Sequence, residues 1–151
     1  MGKLNKISII GAGTWGTAIA DHLSSKASVS LFHYRKDFIS TLQEERRHPQ
    51  LPNLKLSEKI DINSDFKSKG DLYIVAVPVQ YMRETLAKFS FLNNSPILIL
   101  SKGIEKETLM FPLEIIKDTL KKQSRLTAIL SGPSHAEQVV EKIPTSVVVS
   151  S

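Results

Sequence analysis

Lys6-Ile7-Ser8-Ile9-Ile10-Gly11-Ala12-Gly13-Thr14-Trp15-Gly16 is the stretch whose reading decides the fold. Its first five residues are a short run rich in β-branched apolar side chains, the signature of a buried strand ending at Gly11. From Thr14 to Ser25 the period changes: Ala18, Ile19 and Leu23 fall on one face of a helix. Between the two, Gly11-Ala12-Gly13-Thr14-Trp15-Gly16 matches the pattern G-x-G-x-x-G. The pattern alone is weak, but a strand before it and a helix opening within it supply the context it requires. In that context Gly11 permits the tight turn, and Gly13 lets the backbone approach a pyrophosphate. Gly16 lets the helix pack closely on the strand. The helix start then offers free N–H groups and a partial positive charge to phosphates.

Working outward, the same alternation continues to the end of the chain. Val29–Phe32 reads as a second strand. Lys36–Glu45 reads as a helix burying Phe38, Ile39 and Leu42. Pro49 and Pro52 mark His48–Asn53 as a loop. Asp71–Val77 is the clearest central strand, stopped by Pro78, and Val79–Phe89 is the helix after it. Pro96–Leu100 is a strand, and Leu109–Lys122 has helical spacing at Leu109, Leu113, Ile116 and Leu120. Leu126–Leu130 is a strand, Ser134–Glu141 a helix, and Thr145–Val149 a last β-branched strand. Short continuous apolar strands alternating with helices predict an α/β fold. It is a Rossmann-type, doubly wound, mainly parallel sheet with helices on both faces, occupying residues 1–151 as one domain. In such sheets ligands bind beyond the carboxyl ends of the strands. The loops that follow strands are therefore the places to search.

Composition narrows the function. The chain has 151 residues, 41% apolar and 23% charged, enough to build a sizeable core. No apolar run approaches the roughly 18 residues of a membrane span, so no membrane insertion is expected. There is no cysteine, which excludes disulfides, thiolate chemistry and cysteine-ligated zinc. No metal site is expected, and the cytoplasm is the expected location. The net charge of +5 suits anionic partners. The basic residues are scattered, without a Lys/Arg block or a basic-aromatic repeat, so nucleic acid is not expected. A phosphate-bearing small molecule fits.

The end of the second strand refines the cofactor. An NAD site usually carries Asp or Glu about 20 residues into the motif, bonded to the adenosine ribose. Here the segment is Leu31-Phe32-His33-Tyr34-Arg35-Lys36, with no carboxylate before Asp37. Arg35 and Lys36 would attract the 2′-phosphate that a carboxylate repels. This favours NADP, or tolerance of both NADP and NAD; solvated helix-start residues are the alternative. Further along, Lys102 follows a strand end and precedes Gly103. An ammonium there could hold a phosphate or polarise a carbonyl. Gly132-Pro133-Ser134 can start a helix facing the cleft, with Ser134 either donating a hydroxyl hydrogen bond or capping that helix.

Four segments in this order, Gly11-Ala-Gly-Thr-Trp-Gly-Thr-Ala18, Val75-Ala-Val-Pro78, Ser101-Lys-Gly-Ile-Glu105 and Leu130-Ser-Gly-Pro-Ser-His-Ala-Glu137, carry a resemblance. With Leu51-Pro-Asn53 they resemble the N-terminal half of bacterial NAD(P)-dependent glycerol-3-phosphate dehydrogenase, over about residues 5 to 151. The resemblance implies reversible reduction of dihydroxyacetone phosphate to sn-glycerol 3-phosphate, supplying glycerophospholipid synthesis, by an enzyme that is a homodimer when full length. It places Thr14 and Trp15, with Gly11, Gly13 and Gly16, at cofactor positions. Tyr34 and Arg35 fall on its adenosine side, where His33 is an alternative in the alignment. Lys102 falls where cofactor and substrate meet, Gly132 and Ser134 at substrate positions and Ala136 at a cofactor position. One departure precedes Leu51-Pro52, where the family often has an aromatic and this chain has Gln50.

The resemblance also implies that no catalytic residue lies in this segment. The family's proton-transfer lysine and several phosphate-binding residues belong to a C-terminal helical domain, expected to be absent from this chain, so cofactor binding with little or no turnover is expected. His135 reads as structural because no paired carboxylate is evident. Two alternatives remain: a non-catalytic dinucleotide-binding module, and the cofactor domain of a related β-hydroxyacid dehydrogenase or ketopantoate reductase. Ser101-Lys102-Gly103 and the Ser131–Ala136 segment argue against the second.

Overall fold

Ile7 and Ile9 point to one side of the first strand and Ile10 to the other, and that split builds the domain. In a computed structural model, which describes residues 4–66, 69–89, 92, 95–120 and 126–151, the elements run β1 (Lys6–Ile10), α1 (Thr14–Ser24), β2 (Ser28–Phe32) and α2 (Lys36–Glu45). They continue with β3 (Asp61–Asn63), β4 (Leu72–Val75), α3 (Val79–Ala87), β5 (Ile97–Ile99) and α4 (Pro112–Leu120). The last are β6 (Thr127–Ser131), α5 (Ala136–Val140) and β7 (Val148–Ser150). The strands form one sheet in the order β3-β2-β1-β4-β5-β6-β7. Every pairing is parallel except the last, where β7 runs antiparallel to β6. The expected Rossmann-type, mainly parallel architecture is what forms.

Because side chains alternate along a strand, each strand feeds both faces. On one face Ile7, Ile9, Leu31 and Ile74 pack with Ala18 and Ala20 of α1 and with Ile39 and Leu42 of α2. On the other, Ile10, Tyr73, Val75, Ile97 and Ile99 pack with Met82 and Leu86 of α3 and with Ile115 and Ile116 of α4. Burying a side chain of this size contributes roughly 1.5–3 kcal/mol, so the two apolar layers hold the sheet between them. Strand order reverses direction between β1 and β4, the switch point at whose carboxyl edge such sheets bind ligands. Among the described residues no helix is long and apolar enough to cross a membrane.

Several boundaries differ from the sequence reading. Helix α4 begins at Pro112, not Leu109, which is 72% exposed with a φ of 59°. Two features override the periodic leucine. Pro112 takes the first helical position, where its missing N–H costs nothing, and Glu114 Oε2 accepts the Phe111 N–H at 2.7 Å, half of a capping box. The expected end of that helix at Lys122 lies outside the described residues. Helix α5 is confined to Ala136–Val140, so Ser134 is not its cap: His135 holds that place without a side-chain bond. The central strand stops at Val75, and α3 stops at Ala87. The last strand is shifted to Val148–Ser150 at an exposed edge. Strand β3 is unexpected, being three residues of Asp-Ile-Asn with one buried side chain, too short to show a period.

Gly16 is where this packing is tightest. A Cβ there would stand 1.9 Å from the Gly11 carbonyl oxygen and 3.2 Å from Ala76 Cβ. Gly16→Ala should therefore push α1 off β1 and destabilise the fold by about 1–3 kcal/mol in urea denaturation. A change below 0.5 kcal/mol would show that the helix start is free to move.

Candidate functional site

The site grows from the carboxyl ends of β1 and β4. Gly11 leaves β1 with its N–H on the Phe32 carbonyl at 2.9 Å, while the Ala76 N–H bonds the Ile10 carbonyl at 2.8 Å. Its φ is +114°, and a Cβ would meet the Ala76 carbonyl oxygen at 2.6 Å, so the position requires glycine. Gly13 differs in kind. It is exposed, caps α1 without any side-chain bond, and a Cβ placed on it would meet nothing within 4 Å. The first N–H groups of α1 have no intrahelical acceptor, and this open face gives an anion access to them. Thr14 stands half-buried beside it. Trp15 turns inward against the core, with its indole Nε1 buried and unpartnered. The chemistry of the donor set, backbone N–H groups at a helix start behind a glycine, fits a pyrophosphate.

At the end of β2, His33 stacks on the exposed Tyr34 with ring centroids 4.7 Å apart. The Arg35 N–H reaches His33 Nδ1 at 3.2 Å. The Arg35 guanidinium lies 2.7 Å from Asp37 in an ion pair open to solvent. That pair holds the Asp37 carboxyl below its ordinary range. So the first carboxylate after β2 engages Arg35 and leaves Lys36, exposed at the first position of α2, as a second cation.

The other wall comes from the ends of β5 and β6. Ser101 Oγ donates to the Val77 carbonyl at 2.5 Å, tying the β5 exit to the β4 exit. Lys102 Nζ donates to the Gly132 carbonyl at 3.0 Å and so spans from β5 to β6. Gly132 has a φ of +147°, and a Cβ on it would meet the Ser146 carbonyl oxygen at 2.7 Å; the approach to β7 alone requires glycine there. Ser134 Oγ lies 3.4 Å from the same Gly132 carbonyl, and Ala136 is buried at the start of α5. Pro78 ends the β4 exit and caps α3. The structure thus brings Gly13, Lys102, Gly132 and Ser134 to one edge of the sheet, with Tyr34 and Arg35 at the far end beyond β2. His135 is exposed.

The sequence reading passed over His48. It is buried in the loop after α2, accepts the Gln50 N–H on Nδ1 at 3.1 Å, and is hydrogen-bonded to the backbone of Ala12 within the glycine-rich turn. Pro49 and Pro52, both after it, mark only a loop, and nothing in the local pattern announces a buried imidazole. Gln80, Arg83 and Glu105 were also missed, because their partners lie 22 to 26 residues away.

A family model described as the N-terminus of NAD-dependent glycerol-3-phosphate dehydrogenase matches residues 6–151. The chain belongs to this family. Among curated relatives, glycerol-3-phosphate dehydrogenase of Syntrophomonas wolfei is 42% identical over 97% of this chain and 45% of its own length. The Bacillus licheniformis enzyme is 39% identical over the same shares, 97% and 45%. The crystal structure of glycerol-3-phosphate dehydrogenase from Coxiella burnetii superposes with a TM-score of 0.86 at 28% identity, covering 98% of this chain and 47% of that one. A UDP-D-ManNAc dehydrogenase from Pyrococcus horikoshii, at 14% identity and a TM-score of 0.70, shares the fold. The chain spans less than half the length of the curated relatives it matches.

Burial pushes the His48 imidazole below its ordinary pKa, against the pull of the Ala12 backbone hydrogen bond. A group whose folded pKa is depressed stabilises the fold above its unfolded value, about 6.5, and that stability is lost as pH falls through the folded pKa. His33 is shifted the same way, chiefly by burial. The urea midpoint should therefore fall between pH 7 and pH 5. His48→Gln, which offers both an acceptor and a donor, should flatten that fall; an unchanged slope would remove His48 from the turn.

Proposed function

We propose that the chain is the dinucleotide-binding half of an enzyme that interconverts dihydroxyacetone phosphate and sn-glycerol 3-phosphate with NADP or NAD. The observation that carries the reading is the alignment, along one sheet edge, of an open glycine-capped helix start at Gly13 with an ammonium, Lys102, strung between the ends of β5 and β6. In this reading the first turn of α1, with Gly11, Gly13, Thr14, Trp15 and Gly16, receives the pyrophosphate. Tyr34 and Arg35 flank the adenosine, and Ala136 stands at a further cofactor position. The dinucleotide supplies the hydride when bound. Lys102 faces a neutral carbonyl, so its charge is available to a substrate phosphate or to a ketone oxygen as negative charge develops on it. Gly132 and Ser134 present a carbonyl and a hydroxyl beside it.

Helix stability does not account for Arg35 and Lys36. They stand at the start of α2, the end of a helix whose partial positive charge repels cations. An anionic ligand does account for them, which favours a 2′-phosphate and hence NADP. Under the same reading the proton for the alkoxide comes from the part of the protein matching the relatives' remaining length. The enzyme is then a cytoplasmic homodimer feeding glycerophospholipid synthesis.

Two substitutions test the cofactor end by titration of intrinsic fluorescence with each dinucleotide. Arg35→Glu should weaken NADP binding about 10- to 100-fold, the scale of one charged hydrogen bond, and NAD binding far less; equal losses would sink the assignment. Gly13→Asp should leave the fold as stable or better, since aspartate is a preferred cap. It should also cut binding of both dinucleotides at least about tenfold, by closing the open face with a like charge. Retained binding would remove the pyrophosphate from this turn.

A further inference from the structure

Lys102 has a long, flexible side chain on an exposed loop, so something else must define where its ammonium sits. The loop from Ser101 to Lys106 is held from α3 and its entrance. Gln80, the second residue of α3, uses its carboxamide as a peptide unit would be used in a sheet. Its Nε2 donates to the Ile104 carbonyl at 2.8 Å, and its Oε1 accepts the Lys106 N–H at 3.0 Å. Between those two anchors lies Glu105, buried, and Arg83 one turn along α3 grips it with Nη2–Oε2 at 2.9 Å and Nε–Oε1 at 3.1 Å. Thr108 Oγ1 donates to the same carboxylate, and Arg83 also pairs with Asp118 on α4. These contacts hold the Glu105 carboxyl below its ordinary range, with the Arg83 hydrogen bond as the main cause. At the other end of the loop, Ser101 is tied to Val77. Lys102 and Gly103, the latter at a φ of +106°, form the span between the two tied ends.

We infer that Gln80 and Arg83 are positioning residues for Lys102, fixing the loop from Ile104 to Lys106 so that the ammonium is delivered to the Gly132 side of the cleft. Neither residue reaches the cleft in this role; each acts through the loop backbone or Glu105. Gln80 makes the cleaner case. Its side chain is exposed and contributes nothing to the apolar core, yet both ends of its amide are spent on the lysine loop. The inference rests on the proposed role of Lys102.

The test is a double-mutant cycle in the full-length enzyme, read as kcat/KM for dihydroxyacetone phosphate. Gln80→Ala should lower kcat/KM about tenfold, the scale of two lost hydrogen bonds. In a Lys102→Ala background it should change kcat/KM by less than about twofold, because the group it positions is gone. Equal losses in both backgrounds would reduce Gln80 to a structural residue and overturn the inference, leaving the reading of Lys102 intact. If Lys102→Ala itself has no effect, the reading of Lys102 falls and the inference with it. A second readout needs no turnover: trinitrobenzenesulfonate labelling of lysines, located by peptide mass. Gln80→Ala and Arg83→Lys should each raise the labelling rate at Lys102 severalfold without changing it at Lys142, which lies after α5. An unchanged rate at Lys102 would overturn the inference even for an enzyme inactive on this substrate.

Discussion

Helix α1 starts so close to β1 that a single methyl group on Gly16 would collide with the Gly11 carbonyl. That approach sets the geometry of the turn between β1 and α1. It seats the first turn of α1 over the point where strand order reverses, beside the Ala76 carbonyl at the end of β4. It also leaves the adjoining Gly13 facing open space. The three glycines thus divide two tasks. Gly11 and Gly16 are demanded by backbone and side-chain neighbours inside the protein. Gly13 has no such neighbour, and the packing of the protein itself places no demand for glycine there.

Charge is distributed with similar economy along the sheet edge. The Arg35 guanidinium is shared with Asp37 in water, where such a pair is worth little and a phosphate can compete for it. Arg83 is committed to Glu105 and Asp118, which pull its pKa upward and remove it from ligand chemistry. Lys102 alone among these three faces a neutral carbonyl. The net charge of +5 therefore matters less than the partners of individual cations. A cation held by a carbonyl keeps its charge for an incoming anion, whereas one held by two carboxylates does not.

How much could be read in advance depended on the range of the interactions. β1, β2 and the body of α2 were legible because a buried strand or an amphipathic helix writes its own period into consecutive residues. β3 was not, since three residues carry no period and its pairing to Ser30, Leu31 and Phe32 comes from a segment about 30 residues earlier. Leu109 misled because helical spacing continues through it while Pro112 and Glu114 decide where the helix can start. Ser134 was plausible as a cap, but the chain stays extended through His135 and the hydroxyl turns back to Gly132.

The residues by themselves determined the alternating α/β architecture, the glycine turn that joins β1 to α1, and the absence of cysteine chemistry. These follow from local rules: side-chain period, backbone freedom at glycine, and composition. Tertiary structure alone decided that Asp37 occupies Arg35, that Lys102 crosses to Gly132, that His48 backs the Ala12 turn, and that Gln80 and Arg83 hold the lysine loop. Each of the last three joins groups from separate elements, and the first depends on how the chain leaves β2. A hydrogen bond needs its two atoms within about 3 Å and aligned, a condition that residue identities do not state and only the packed sheet and helices satisfy.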